Sequence, residues 1–255
     1  MFEKQSSVTS VPAPTQEILI NMDGTTVQIL STEGFSLYGF KAVQSTQQGG
    51  MPLVWFTREE FSPVTHLEWT SSMAAYTSFD DIAARRRVRA DFSADIACGQ
   101  VLHVTDNGIG EVFHGNAPHA VSIRNMTKDR FTCGISEKVH GEMLPICAFP
   151  LHGVSMEVIA PIQKVLLVFT NERLSPGTAI TALRNQSVLV DLSSVNQRQL
   201  IYHIDKGWSW DRGSWASCHP PNSNLVPVLI EVPSQVSGAC GVARSLVGSG
   251  VQALL

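Results

Sequence analysis

The sequence predicts an all-β protein, an antiparallel β-sandwich of jelly-roll type with at most one short helix. β-prone apolar runs recur along it, and turn residues interrupt them roughly every 8–12 positions, the spacing of a sandwich. Almost no segment carries the helical period. The length of 255 residues is one that sandwiches and barrels reach without dividing. Residues 1–15 read as an extended arm, 16–233 as one sandwich domain, and 234–255 as a tail or edge strand.

Ile18 to Asn21, the Asp23-Gly24 pair and Thr25 to Leu30 read as a hairpin closed by a favoured turn. Phe35 to Val43, a turn at Gln47 to Gly50, and Leu53 to Phe56 give a second hairpin. His66 to Thr70 leads into Met73 to Phe79. Asp80 to Arg89 reads as a helical turn or two, with Ser78 or Asp80 as cap and acids ahead of bases. Its four arginines read as a solvated face, with an anion site as the sharper alternative. Further runs are Gln100–Thr105, Gly110–His114, Ala120–Asn125, Phe131–Ser136, Leu144–Phe149, Val154–Ile159, Lys164–Thr170, Ser187–Leu192, Gln199–Ile204 and Leu225–Val232. Pro150, Pro161, Ser175-Pro-Gly177 and Pro220-Pro221 stand among the breakers. Val165 to Phe169 is apolar without alternation, which predicts a central strand buried on both faces.

Charged residues make up only 16% of the chain, so much of its surface must be neutral polar. The net charge of −4 argues against a nucleic-acid partner. No apolar run is long enough to cross a bilayer as a helix. The start lacks a signal-peptide apolar core. Two sequons, at Asn125 and Asn185, are glycosylation candidates and lean the reading toward the secretory pathway; otherwise it is cytoplasmic. Among the five cysteines no metal spacing occurs, and Cys133–Cys147 and Cys218–Cys240 are the bridges open to a secreted form.

No catalytic motif is present. There is no G-x-S-x-G elbow, no marked carboxylate pair and no phosphate loop. His103, His114 and His119 lie near one another in sequence but miss the cupin spacing, so no metal and no cofactor are expected. The densest chemistry is Gly207 to Trp215, which holds three of the five tryptophans. Strand parity puts Trp208 and Trp210 on one face, with Tyr202 and Ile204. Trp208, Trp210, Trp215, Asp211, Tyr38 and Trp55 are the candidate ligand contacts. Arg212, His219, Lys41 and His203 are the candidate polarising donors, with Arg212 stacked on an indole. Trp55 and Trp69 lean toward a core role, while the Trp208–Trp215 group is divided between core and pocket.

Leu37-Tyr-Gly-Phe-Lys-Ala-Val-Gln44, Pro52 to Phe56, Phe131 to Ser136, Cys147 to Pro150 and Gly207 to Trp210 give a resemblance over roughly residues 17–232. The chain resembles a group of uncharacterised β-rich proteins common in fungi. Through them it resembles the cofactor-free hetero-Diels–Alderases of fungal tropolone–sesquiterpenoid pathways. The resemblance implies a cyclase of secondary metabolism that holds a small hydrophobic molecule between aromatic walls. It carries no catalytic residue over. The alternative is a secreted, lectin-like sandwich that takes a neutral glycan on exposed tryptophans. Neither reading needs a cofactor or stable membrane insertion, and either allows a homo-oligomer.

Overall fold

The computed structural model describes residues 15–232, so the expected arm up to residue 14 and the expected tail lie outside the described residues. The elements run β1 Thr15–Asn21, α1 Gly24–Thr32, β2 Ser36–Ser45, β3 Met51–Pro52, β4 Phe56–Arg58, β5 Val64–Ser78, β6 Phe92–Ile96, β7 Gln100–Val104, β8 Gly110–His114 and β9 Val121–Asn125. They continue with β10 Phe131–Val139, β11 Glu142–Pro145, β12 Cys147–Leu151, β13 Met156–Thr170, β14 Ser187–Asp191, β15 Gln197–His203, β16 Gly207–Trp210, β17 Ala216–His219, α2 Val226–Leu229 and β18 Ile230–Glu231. Among the described residues strand is the dominant state, and helix is confined to α1, the single turn α2 and a short 3-10 turn at Asp106–Gly108.

Two nine-stranded sheets form. The first runs β16-β15-β1-β5-β10-β12-β3, with β6 on β5 and β11 on β10. The second runs β17-β14-β13-β9-β7-β8, and β2 joins it on β13, carrying β4 and β18. Pairing is antiparallel except at β1–β15, β7–β9 and β18–β2. Those parallel pairs correct the purely antiparallel expectation. Each joins strands that are not linked by a hairpin, so no tight turn dictates their direction.

The expected hairpin partner Thr25–Leu30 is instead α1. Asp23 decides this: its carboxylate accepts from the Thr26 backbone N–H at 2.6 Å and caps a helix where a turn was expected. That bond holds the Asp23 carboxyl below the usual carboxylate range. The segment Asp80–Arg89 is the reverse case, a loop with no helix in it. Asp80 does cap, but it binds the Arg89 N–H nine residues on, which closes a loop rather than a helical turn. Leu225–Val232 is also not one strand, because α2 starts there with Pro227 in its first turn.

Pro161 does not end its strand. β13 runs through it for 15 residues, with a register shift against β2 between Pro161 and Val165. Proline cannot donate to the ladder, so the chain bulges there and continues. Beyond the bulge β13 is the doubly buried strand the sequence implied. Val165, Leu167 and Phe169 join the core between the sheets. Leu166 and Val168 join a second cluster with Tyr38, Phe40, Ile180 and Leu229, beneath α2 and the segment before it.

Gly134 shows how closely the first sheet is packed. A Cβ at this position would collide with the Cys147 carbonyl and the Tyr76 ring. Tyr76 lies across the glycine and donates its hydroxyl to that same carbonyl at 2.7 Å. A Gly134→Ala variant should therefore lose about 2 kcal/mol, read as a lower urea midpoint. A gain in stability, the usual result of Gly→Ala at an unstrained site, would contradict the packing described.

Candidate ligand-binding groove and the buried polar core

The aromatic segment splits into a core part and a rim part. β16 pairs with β15 as Tyr202↔Trp208 and Leu200↔Trp210, which places both indoles on the face of the sheet turned toward the core. Trp208 is buried, stacked on Phe169 at 5.3 Å and against Tyr202 at 4.7 Å. Trp210 is half-buried and donates its indole N–H to the Gly213 carbonyl at 3.1 Å. Trp215 lies 6.1 Å from Trp210 at 54° between planes, so the two do not form a flat shelf.

The cation on this rim is Arg198, not Arg212. Its guanidinium lies 4.6 Å from the Trp215 ring centre and donates to the Asp191 carbonyl and the Ser194 hydroxyl. Arg212 is exposed in the turn after β16. Gln197, Arg198, Gln199, Asp211 and Trp215 line an open groove of about 270 Å³. Gln197 and Gln199 are exposed at alternate positions of β15, which turns both amides to the same side. The signal that locates them was present in the sequence as Gln-x-Gln within a strand.

The remaining candidates lie elsewhere. Tyr38 is buried in the second cluster and donates to the Glu172 carbonyl at 2.7 Å. His203 sits beside Asp23 at 3.2 Å, and His219 stands near Ser217 on β17. Burial holds the His219 imidazole below its ordinary range. Among the described residues these donors do not converge with Lys41 on one cavity.

Lys41 and Trp55 lie in the core between the sheets. The Lys41 ammonium, from the second sheet, meets the Glu137 carboxylate, from the first, at 2.9 Å. It also lies 5.3 Å from the Trp55 ring centre and 5.2 Å from that of Trp69. The two indoles stand edge to face at 5.4 Å, and Trp55 donates to the Glu137 carbonyl at 3.0 Å. Burial pushes the Lys41 ammonium down in pKa, against the opposing pull of Glu137. Burial pushes Glu137 up, against Lys41. The lysine that the sequence offered as a donor to ligand is thus spent on an inter-sheet ion pair.

A second buried carboxylate, Glu157, accepts from the Ser45 hydroxyl. Burial pushes it up to about 7, with the Ser45 bond opposing. Its charge also raises the Cys133 thiol, although burial is the larger cause. Cys133 and Cys147 are free and buried, so the bridge considered between them is not formed. Cys218 is free as well, and Cys240 lies outside the described residues.

Asn125 is a poor glycan acceptor in the fold. It is buried, and its amide nitrogen donates to the Asp129 and His152 carbonyls at 2.7 and 3.1 Å. Its oxygen accepts from the Thr127 N–H and hydroxyl. A sugar on that nitrogen would break the turn that the sequon builds. Asn185 is half-buried just before β14. No helix among the described residues is long and apolar enough to cross a membrane.

Comparison with protein-family models, with characterised proteins and with solved structures finds no match to this chain.

Two measurements check the buried charges. Glu137→Leu strands the Lys41 ammonium and should cost about 3–5 kcal/mol of stability, most of it recovered in the double variant Lys41→Met/Glu137→Leu. Equal losses in both variants, by urea denaturation, would contradict this. Glu157 has a folded pKa raised above its unfolded value. Its stabilising contribution is therefore complete below pH about 4.5 and lost as pH rises through about 7. Glu157→Gln should flatten the stability–pH curve over that window.

Proposed function

We propose that the protein is a carbohydrate-binding β-sandwich that takes a neutral glycan in the groove of Trp215, Asp211, Gln197, Arg198 and Gln199. The groove itself carries this reading. It is shallow and open, edged by one indole, and furnished with two amides, a carboxylate and a guanidinium. Sugars present hydroxyls that both give and accept hydrogen bonds, plus a C–H face that packs on the face of an aromatic ring. The guanidinium over Trp215 is anchored to the Asp191 carbonyl, so it positions the indole before ligand arrives.

The cyclase reading draws less support from the geometry. A cofactor-free cyclase must enclose an apolar substrate and aim a donor at it. Of the residues expected to do so, Tyr38, Trp55, Trp208 and Lys41 are packed in the interior, and the groove at Trp215 is open and polar.

A broad neutral-glycan panel should give a binder, and Trp215→Ala should weaken that binding by about tenfold or more, the loss of one aromatic anchor. Gln199→Ala should weaken it less and leave the thermal midpoint unchanged. A panel without a binder, or full affinity in Trp215→Ala, would overturn the proposal.

A further inference from the structure

The outer face of the first sheet holds a group that neither the fold nor the groove uses. Glu17 on β1 lies directly opposite Glu68 on β5, and His66 lies diagonally across, opposite Leu19. Strand alternation turns all three side chains to the same, outward side, while Ile18, Leu67 and Trp69 point into the core. One donor atom from each of Glu17, His66 and Glu68 can be taken such that all lie within 4.8 Å of one another. His66 Nε2 stands 3.6 Å from Glu17 Oε2.

Like charges placed directly opposite on paired strands destabilise a sheet. Among the described residues neither glutamate has a lysine or arginine partner: Glu17 meets only His66, and Glu68 makes no ion pair. The nearby Arg58 guanidinium is taken by the Glu60 and His66 carbonyls. The two carboxylates thus face each other without a direct lysine or arginine ion pair, although Lys138 borders the same depression as Glu68.

We propose that Glu17, His66 and Glu68 bind a divalent transition-metal ion of the zinc class. Two ligands at about 2.0–2.1 Å from a tetrahedral ion stand roughly 3.3 Å apart, close to the His66–Glu17 separation already present. Imidazole with two carboxylates selects zinc, cobalt, nickel or copper over calcium and magnesium, which take all-oxygen shells. The donors stand on two paired strands, so the backbone holds their spacing and only side-chain rotamers close on the ion. Three protein ligands leave a fourth position open. Glu68 also lines a depression of about 340 Å³ with His140 and Trp69, which gives that position room for water or a further donor. Glu17 pairs on its other side with Gln197 of the groove, so the ion would lie beside the groove's two amides without sharing a residue with it.

The test uses the untagged full chain and metal alone, with no glycan present, so its outcome is independent of the groove. Titration with Co²⁺ should give one equivalent of visible absorbance of a four- or five-coordinate ion, displaced by Zn²⁺. His66→Ala and Glu68→Gln should each weaken binding at least tenfold, since even changes behind a ligand cost about 10–100-fold. His119→Ala, an exposed histidine elsewhere, should leave it unchanged. Zn²⁺ should raise the thermal midpoint of the parent chain and not of His66→Ala. Absence of a stoichiometric signal, or equal binding in parent and His66→Ala, would overturn the site.

Discussion

The two sheets are tied by one charged contact set in an apolar interior. Lys41 reaches across from the second sheet to Glu137 of the first, and Trp55 and Trp69 close around the ammonium. A buried ion pair adds little net stability, because removing both charges from water offsets most of their attraction. Its effect is on arrangement. Apolar side chains tolerate many ways of stacking two sheets, whereas a buried ammonium tolerates only those that bring it a carboxylate. Sliding one sheet by a residue would leave two unpaired charges in the core.

That contact also explains the aromatic residues of the first half. Trp55 anchors itself to the Glu137 backbone, and Trp69 lends a ring face to Lys41. Both indoles are thereby committed to the interior. Trp208 is likewise committed, through Phe169 and Tyr202. Only Trp210 and Trp215 remain near the surface, and Trp215 borders a small, polar groove. The chemistry left on the outside is that of sheet faces: Gln197 and Gln199 beside the groove, then Glu17, His66 and Glu68 across two further strands.

Residues that alternate in and out along a strand were legible in the sequence. Parity placed Trp208 and Trp210 on one side of β16, and the unbroken apolar run Val165 to Phe169 marked a strand covered on both faces. Local competition was less legible. Asp23-Gly24 is a good turn pair and Asp23 is also a good helix cap; only the formation of the Thr26 bond separates the two. Pro161 is a breaker by rule and a bulge in fact, because neighbouring strands hold the chain on both sides of it.

The sequence by itself determined the all-β class and the central strand, since these depend on periodicity and turn chemistry within a few residues, whereas β5 and β13 each join two runs that the sequence had divided. Tertiary structure alone decided which tryptophans remain near the surface. The spacing Gly207 to Trp215 is the same whether Phe169 covers Trp208 or not, and Arg198 reaches Trp215 only because β15 folds back beside it. Lys41 reads as a free donor until Glu137, 96 positions away, is brought to it. Glu17 and His66 read as unrelated until β1 pairs with β5. Long-range pairing sets those contacts, and no local pattern encodes which strands will meet.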